Sequence, residues 1–536
     1  LADKRKEWIA NYDKNTTIDL SKTYDVSYTD LIHKELIHFS HRDIERNINN
    51  ICDALKESQR KLLFSLFKKK IYGNNEIKVS QMAGVAASMT AYHHGDQSLA
   101  EALTKMGQNY IGSNNVNMVS ALGQFGTRLH GGGADSAQPR YLFTKLSPMC
   151  RAIFREEDMP ILKYKVDENI KIEPEWFIGV IPTVFILQVM GIGTGYSTEI
   201  PNFNPDEVID QCILICNQLE QNNVDINSPD DMLKAFDVIK ATVINDMIPY
   251  YPNYKGTIKI KEGKDNIYES TGCYSYIDAN TIEITEIPVN KAIEDYKRDV
   301  LEELALANEI KNFENHYSAL NIRFVVYLNN GHNIKDPIKF FKLSSTNGLS
   351  LNNMHLYNSD IKITKYENTS SIMREWCSVR ITCYYERKKY RLQILKKQFK
   401  KLSAKATFIL DIINDKIKIM NIEDNKLIAK LEELNYPKLS EKDIDLDTFE
   451  NEDNENNNQQ NYNYLLKMPV SSFTKNNLEK LKKNADIVKK DIDILKNTPI
   501  YKMWMNEIIE VKNTYNKYKE ELNEIYRTDL LSIYKK

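Results

Sequence analysis

Apolar residues recur along the chain with two different spacings, and each spacing predicts a different element. Recurrence every three or four residues is typical of amphipathic helices, whereas alternation of polar and apolar residues is typical of half-buried strands. The first spacing predicts short helices at 56–70, 81–92, 97–111 and 289–304. The second predicts strands at 256–260, 281–284 and 322–327. We therefore predict an α+β fold that is mostly helical.

The last third of the chain is dominated by two long, strongly charged helices. The first is predicted from residue 372 to about 413 and the second from about 475 to 519. Two long helices with a separate segment between them predict an antiparallel coiled-coil arm with a small tip domain. In the tip, residues 443–455 hold seven acidic residues and no basic one, and an Asn/Gln run follows. We predict a disordered insert near 443–461.

The segment between Glu175 and Glu199 carries no charge, and its length is compatible with a membrane helix. Pro182, Thr183 and several glycines interrupt it, so we predict two buried strands around a turn and no membrane association. Its run Gly191-Ile192-Gly193-Thr194-Gly195 lacks the last glycine of the dinucleotide-binding pattern GxGxxG, which excludes that function.

Composition and charge narrow the class of protein. The 536 residues suffice for two to four domains, and 42% of them are hydrophobic, which excludes a disordered polypeptide. Seven cysteines form no CxxC pair, so no structural zinc site is expected. The net charge is −2, but residues 56–151 hold 12 basic and 5 acidic residues. Such a basic segment suits phosphate binding, although a solvated basic surface has the same composition.

Two short motifs in this segment are candidates for chemistry. His93-His94 lies where a helix is predicted to end, a position suited either to donating to a phosphate oxygen or to capping the helix. Arg140-Tyr141 follows a glycine-rich loop at 123–139, whose composition favours a backbone close to a ligand. A phenol keeps its proton at neutral pH, so Tyr141 needs positive charge nearby to attack phosphorus. Arg140 and Arg60 are candidates to supply that charge.

Together these motifs resemble the cleavage region of eukaryotic type IIA DNA topoisomerases (topoisomerase II). Order and spacing both match, and the likeness covers essentially the whole chain. The central matches are Tyr92-His93-His94-Gly95, Gly112-Ser113-Asn114-Asn115, Gln124-Phe125-Gly126-Thr127-Arg128 and Pro139-Arg140-Tyr141. Further matches lie at 1–8, 34–36, 59–61, 173–176, 191–195 and 284–288.

The resemblance implies roles for individual residues. Tyr141 corresponds to the nucleophile, which forms a 5′-phosphotyrosyl link and frees a 3′ hydroxyl. Arg140 and Arg60 correspond to active-site arginines, and His94 corresponds to an assisting histidine. Ile192 corresponds to an apolar wedge that enters a base step and bends the duplex. Further DNA contacts are predicted for Lys61, Lys78, His93, Arg128, Asn114 and Asn115, and no residue of the chain is predicted to bind a metal.

The resemblance also divides the chain into domains. Residues 1–20 would end a Toprim domain or linker, 21–180 would form a winged-helix DNA-cleavage domain, and 181–365 a tower or shoulder domain. Residues 366–536 would form the coiled-coil arm and the exit gate, with the polar insert inside them.

Cofactors and partners follow from the same resemblance. The family binds catalytic Mg²⁺ in the Toprim domain and ATP in an ATPase domain, and both domains would precede Leu1. The implied partners are double-stranded DNA, as gate and transported segments, and a second copy of the chain in a homodimer. A nuclear protein of DNA replication and chromosome segregation is expected. The chain alone is expected to cleave DNA poorly.

Some positions depart from the family's pattern. The usual Asp-Gly-Leu-Lys-Pro-Gly is Asp53-Ala54-Leu55-Lys56-Glu57-Ser58 here. The usual Gly-Gly-Lys-Asp is Gly131-Gly132-Gly133-Ala134-Asp135, which is longer by one residue and lacks the lysine. Neither departure removes a predicted catalytic residue.

Two alternative interpretations remain at this point. The cleavage subunit of bacterial gyrase or topoisomerase IV would carry Tyr-His-Pro-His-Gly, whereas the two histidines are adjacent here. A non-enzymatic DNA-binding scaffold with the same fold would be expected to have lost one of the catalytic positions.

Overall fold

The computed structural model describes residues 2–19, 21, 25–167, 169–329, 334–419, 422–439 and 461–534. All but the last residue of the predicted insert near 443–461 lies outside the described residues. The chain forms two compact units. Unit 1 comprises residues 1–224, 233–380 and 504–536, and unit 2 comprises residues 225–232 and 381–503. Unit 2 is shorter at both ends than the predicted arm at 366–536.

Helices form most of the regular structure, as predicted. They are α1 (Ala2–Ala10), α2 (Tyr28–Asp30), α3 (Ile37–Asn47), α4 (Glu57–Lys68), α5 (Val79–Met89), α6 (Asp96–Gly107), α7 (Pro148–Ile153), α8 (Pro205–Gln221), α9 (Pro229–Ala241), α10 (Ile293–Tyr296), α11 (Glu303–Leu306), α12 (Pro337–Phe340), α13 (Thr369–Ile413), α14 (Asp424–Glu433), α15 (Asn463–Leu466), α16 (Lys475–Asn497) and α17 (Ile500–Tyr534). Two π-helical segments, Leu31–Leu36 and Lys297–Glu302, connect α2 to α3 and α10 to α11.

Short antiparallel strands account for the β structure. They are β1 (Ile77–Lys78), β2 (Phe143–Thr144), β3 (Tyr164–Asp167), β4 (Ile170–Pro174), β5 (Val189–Gly193), β6 (Tyr196–Ile200), β7 (Thr257–Ile260), β8 (Tyr268–Thr271), β9 (Cys273–Asp278), β10 (Thr281–Glu286), β11 (Asn312–Asn315), β12 (Phe324–Tyr327), β13 (Ser344–Ser345), β14 (Met354–Tyr357) and β15 (Ile363–Tyr366). The largest sheet has four strands in the order β11-β12-β10-β9, and a three-stranded sheet has the order β13-β8-β7. The pairs β1-β2, β3-β4, β5-β6 and β14-β15 complete the set.

The alternating pattern in the middle of the chain produces the core of the four-stranded sheet. On β10, Ile282 and Ile284 are buried while Glu283 lies on the other face and accepts a hydrogen bond of 2.8 Å from Arg323. The helical segment after β10 covers the buried face through Ile293 and Tyr296. This segment starts four residues later than predicted and includes a π-helical turn.

Unit 2 contains the antiparallel helix pair predicted from the charged repeats. The Nζ of Lys388, in the first half of α13, donates to the carbonyl of Thr498, just after α16 ends, at 2.8 Å. Ala406 and Ile409, late in α13, pack against Leu478, near the start of α16. Contacts that join the earlier part of one helix to the end of the other establish the antiparallel direction.

The second long helix differs from the prediction in one respect. A single helix was expected at 475–519, but α16 ends at Asn497 and α17 begins at Ile500 and continues to Tyr534. Pro499 explains the break, because proline has no N–H and disfavours a helical backbone at the preceding residue. Thr498 accordingly has an extended ψ of 115°.

The uncharged segment after Glu175 forms a 3-10 turn at Thr183–Phe185 and then the β5-β6 hairpin. Two buried strands around a turn were predicted; the hairpin confirms the strands and the turn, but β5 exposes Met190 and Ile192 and is therefore not buried as predicted. Within the described ranges, no helix is both long and apolar enough to cross a bilayer.

Gly191 determines how closely the β5-β6 hairpin approaches α3. A Cβ atom added at this residue would lie 2.1 Å from the backbone oxygen of Asn47, so the Gly191→Ala variant must displace the hairpin. We expect a loss of about 1–3 kcal/mol of stability, typical of overpacking, measured by thermal and urea denaturation. Gly84→Ala is the matched control. Gly84 lies in helix α5, and a Cβ atom added there meets nothing within 4 Å, so this variant should not lose stability. A melting temperature unchanged in Gly191→Ala would contradict this packing.

Candidate functional site

Tyr141 lies at the end of a loop whose two legs are joined at its base. Leu122 and Phe143 exchange backbone hydrogen bonds of 3.2 and 3.0 Å across the legs. Above that pair, the amide of Ala137 donates to the carbonyl of Gln124 at 2.8 Å. Five residues, 138–142, therefore lie between the two connections on one leg, and only Gly123 lies between them on the other. The longer leg has to bulge outward.

The bulge is a short 3-10 turn that exposes the tyrosine. The turn spans Pro139–Tyr141 and is closed by a 2.9 Å hydrogen bond from the Tyr141 amide to the Gln138 carbonyl. Gly123 has a φ of +119°, and a Cβ there would lie 3.7 Å from the Tyr141 carbonyl oxygen. The Tyr141 side chain is 64% exposed, so its hydroxyl is accessible to a large substrate.

Two cations lie near the turn that bears this tyrosine, one against its own ring and one against the ring of Phe143. The guanidinium carbon of Arg140 is 5.0 Å from the centre of the Tyr141 ring. Strand β1 pairs with β2 in a register that places Lys78 opposite Phe143, two residues after the tyrosine. Lys78 is exposed, with its Nζ 5.8 Å from the Phe143 ring centre. Positive charge at this position favours both an approaching phosphate and a phenolate.

The two adjacent histidines follow helix α5 and are exposed. Ala91, which lies two residues before His93, has a φ of +45°, which turns the chain out of the helix. His93 Nε2 lies 3.3 Å from Asp167 Oδ2, and the His94 ring packs edge-on against Tyr92. Both histidines line a recess of about 410 Å³.

His94 also lines a wider groove of about 450 Å³ in unit 1. Its walls carry more positive than negative side chains. The lining cations are Arg42, Arg46, Lys56 and Lys105, and the acids are Glu57 and Glu101. Burial, together with the nearby charge of Lys105, lowers the pKa of Lys56. An anion that enters the groove would offset the repulsion between the positive charges of Lys56 and Lys105.

An apolar edge borders the groove. Met190 on β5 lines it, and Ile192, two residues further along the strand, projects from the same face. Ile192 lies near the tip of the hairpin and is 79% exposed, whereas isoleucine is among the residues most often buried. Asn114 lines the groove as well, and its Oδ1 accepts from the Gln188 amide at 2.9 Å.

Arg60 and Lys61 are buried in α4. Arg60 Nε and Nη2 donate to the two carboxylate oxygens of Asp53 at 2.7 and 3.1 Å. Lys61 Nζ donates to the Thr90 carbonyl at 2.7 Å and to Glu173 Oε2 at 3.0 Å. The predicted direct DNA contact of Lys61 is therefore not supported, because its ammonium is buried and already donates to two protein acceptors.

The same correction applies to Arg128 and Asn115. Arg128 is buried and donates to Glu286 Oε1 at 2.7 Å and to two backbone carbonyls of the segment that follows β10. Asn115 is buried and donates to the carbonyls of Phe203 and Tyr250. Both side chains are buried and hold segments of unit 1 together.

Sequence reasoning placed Lys56 and Lys105 in the basic segment at 56–151 but did not assign the two arginines of the groove. Arg42 and Arg46 lie four residues apart on α3, so they project from one face of that helix. That spacing was the signal in the sequence that could have identified the two arginines, which lie outside the basic segment at 56–151. In the described portions of the chain, no group of three or more His, Cys, Asp or Glu residues is arranged to hold a metal ion.

Comparisons with known proteins identify the family. Residues 46–511 match the family of the A-type subunits of DNA gyrase/topoisomerase IV. Residues 1–44 match the C-terminal associated domain of TOPRIM, a longer range than the 1–20 segment predicted to end a Toprim domain or linker.

Individual relatives agree with that match. DNA topoisomerase 2 of Plasmodium falciparum is 35% identical over 95% of this chain and 36% of its own length. DNA topoisomerase 2-beta of Homo sapiens is 34% identical over 94% of this chain and 31% of its own length. The chain thus spans about a third of the length of these curated relatives.

A solved structure extends the likeness to three dimensions. The crystal structure of the Plasmodium falciparum topoisomerase II DNA-binding, cleavage and re-ligation domain has a TM-score of 0.79 and 34% identity. The alignment covers 98% of this chain and 69% of that one. The resemblance to topoisomerase II is thereby confirmed, and the chain belongs to the family of the DNA gyrase/topoisomerase IV A-type subunits.

Proposed function

We propose that this chain is the DNA cleavage and re-ligation region of a type II DNA topoisomerase, an isomerase that passes one duplex through a transient break in another. The observation that carries the proposal is the exposed Tyr141 on a bulged turn, with Arg140 against its ring and Lys78 opposite Phe143, two residues further along. The basic groove and the apolar hairpin of the same unit add surfaces suited to a duplex.

The proposed reaction is a transesterification. The hydroxyl oxygen of Tyr141 attacks a DNA phosphorus in line, a Tyr141–phosphorus bond forms, and the bond from phosphorus to the 3′ oxygen breaks. The phenol loses a proton and the 3′ oxygen gains one, so the step is balanced without an oxidant or reductant. The ester bond retains the energy of cleavage, and attack by the 3′ hydroxyl restores the DNA.

Basic side chains would stabilise the charge that develops on the phosphate. We assign this role to Arg140, beside the tyrosine, to Lys78, beside Phe143, and to His94 as a donor or proton carrier. Arg60 stays a predicted active-site residue. The residue is buried, its Nε and Nη2 donate to Asp53, and Nη2 also donates to the Leu55 carbonyl.

Mg²⁺ and ATP are proposed to serve the whole protein. When bound, Mg²⁺ would supply positive charge at the phosphate, and ATP would supply the energy for gating. Because the described residues include no metal-binding cluster, we place no Mg²⁺ against them. The match of residues 1–44 to the TOPRIM-associated domain supports an adjoining Toprim domain as the Mg²⁺ site.

The finer architecture is also a proposal. We propose that 21–180 form the winged-helix cleavage domain, 181–365 the tower, and 366–536 the arm and exit gate. The helix-rich segment that bears Tyr141, the four-stranded sheet and the antiparallel helices of unit 2 support these three assignments in turn. We further propose a homodimer that binds two double-stranded DNA segments in the nucleus.

The bacterial alternative is not favoured, because the relatives that match 94–95% of the chain are named DNA topoisomerase 2. A non-enzymatic scaffold would form no covalent bond between Tyr141 and DNA, so the two interpretations are separated by the chemistry of Tyr141.

Tyr141→Phe removes only the nucleophilic oxygen. In the full-length protein with Mg²⁺ and supercoiled DNA, we expect covalent protein–DNA complexes and relaxation to fall below detection, a loss of at least about 10⁴-fold. DNA affinity should stay unchanged. Tyr276→Phe, at another exposed tyrosine, is the matched control and should retain activity. Covalent complexes formed by Tyr141→Phe would show that another residue is the nucleophile.

Ile192→Ala tests the wedge. Loss of the inserted side chain should reduce DNA bending, measured by energy transfer between the ends of a labelled duplex, and should weaken binding by about tenfold. Ile170→Ala on β4 is the control, since Ile170 is also an exposed strand isoleucine. Equal bending by both variants would argue against insertion at Ile192.

Lys56 and Lys61 should respond differently to loss of charge. Lys56→Gln removes a groove cation, so the slope of log affinity against log salt concentration should fall by about one. Lys61→Gln leaves the Glu173 carboxylate unpaired and should instead cost about 3–5 kcal/mol of stability, with the salt slope unchanged. A Lys61→Gln protein that is stable but has a lower salt slope would show that Lys61 contacts DNA directly.

A further inference from the structure

The loop that carries Tyr141 has a third connection between its legs, formed by a side chain. Asp135 Oδ1 accepts the Thr127 amide at 2.8 Å, and Asp135 Oδ2 accepts the Thr127 hydroxyl at 2.6 Å. Gln124 Nε2 donates to the same Oδ2 at 3.2 Å. We call these three hydrogen bonds the Asp135 clasp. Hydrogen bonds to an ionised carboxylate are shorter and stronger than those between neutral groups.

The clasp joins the leg that bears the tyrosine to a leg that is fixed in the fold. Thr127 is buried, and the next residue, Arg128, is bound to Glu286 and to backbone carbonyls after β10. The amides of Ile293 and Glu294 donate back to the carbonyls of Arg128 and Leu129. The leg that contains Thr127 is therefore anchored to the sheet, and Asp135 transmits that anchorage to the leg that contains Tyr141.

Glycines allow the two legs to approach closely enough for the clasp. Gly126 has a φ of +99°, and a Cβ there would lie 2.4 Å from the Gly133 carbonyl oxygen. The loop is one residue longer than the family's pattern, and Gly132 and Gly133 have φ values of +67° and +68°. The additional residue is thus taken up in the turn beyond the clasp, so Asp135 still faces Thr127.

We propose that Asp135 is a positioning residue for Tyr141, acting through Thr127 and Gln124 to fix the bulged turn that presents the hydroxyl. This inference rests on the proposed function of Tyr141. The Leu122–Phe143 pair holds the turn from below, and the clasp, with the Gln124–Ala137 hydrogen bond, holds it from above. A displacement of about 1 Å at a reacting atom is enough to lower a rate by about 100-fold.

The test compares Asp135→Ala, Asp135→Asn and Thr127→Val in the full-length protein, with Mg²⁺ and a short duplex at saturating concentration. The rate of covalent complex formation should fall by about 100-fold in Asp135→Ala. Asp135→Asn should lose less, because its amide oxygen still accepts from the Thr127 amide. DNA affinity should change by less than about twofold, which separates positioning from binding. Asp278→Asn, which removes an exposed carboxylate on β9, should cleave at the wild-type rate.

A double-mutant cycle distinguishes the clasp from two unrelated losses. Thr127→Val should slow cleavage, and combining it with Asp135→Ala should cause little further loss, because both remove one connection. If the rate losses of the two single variants multiply in the double variant, this inference is wrong. It is also wrong if Asp135→Ala and Thr127→Val cleave at the wild-type rate while Tyr141→Phe is inactive, and in both cases the proposed function stands. Covalent complexes in Tyr141→Phe would overturn the proposed function instead.

Discussion

Residues 138–142 have to fit opposite a single residue, Gly123, because hydrogen bonds on either side of them fix the two legs of the loop. That mismatch forces the 3-10 turn outward and exposes the tyrosine, while the pairing of β1 with β2 places Lys78 opposite Phe143, two residues further along. The orientation of the candidate nucleophile thus follows from backbone connections, and the tyrosine side chain itself contributes little to its own placement.

Charge is distributed so that the chain has almost no net charge and yet offers a basic groove. Buried cations such as Lys61 and Arg128 are neutralised by buried carboxylates and hold unit 1 together. Cations that line the groove, such as Arg46 and Lys56, lie nearer the surface. A basic segment in a sequence therefore mixes two populations, and only burial separates the cations that stabilise the fold from those that meet a phosphate.

This mixture explains what the sequence predicted and what it did not. Periodicity located helices α4, α5 and α6, the alternating strands β10 and β12 and the charged helices of the arm, since local spacing determines which face is buried. It missed the break at Pro499 because the charged repeat continues on both sides. It assigned DNA contacts to Lys61, Arg128 and Asn115, whose partners Glu173, Glu286 and the Phe203 carbonyl are 88 to 158 residues away in the chain. Such distant pairings leave no local signal in the sequence. The Asp135 clasp was not predicted either, because its hydrogen bonds depend on how the loop folds.

The central claim is that Tyr141 becomes joined to DNA. The most direct measurement is mass spectrometry of the peptide that retains a nucleotide after the full-length protein has reacted with duplex DNA and Mg²⁺ and been digested with protease and nuclease. The account predicts a 5′-phosphate ester on Tyr141, with a free 3′ hydroxyl on the broken strand. A nucleotide attached to any other residue, or a 3′-phosphate link, would contradict it.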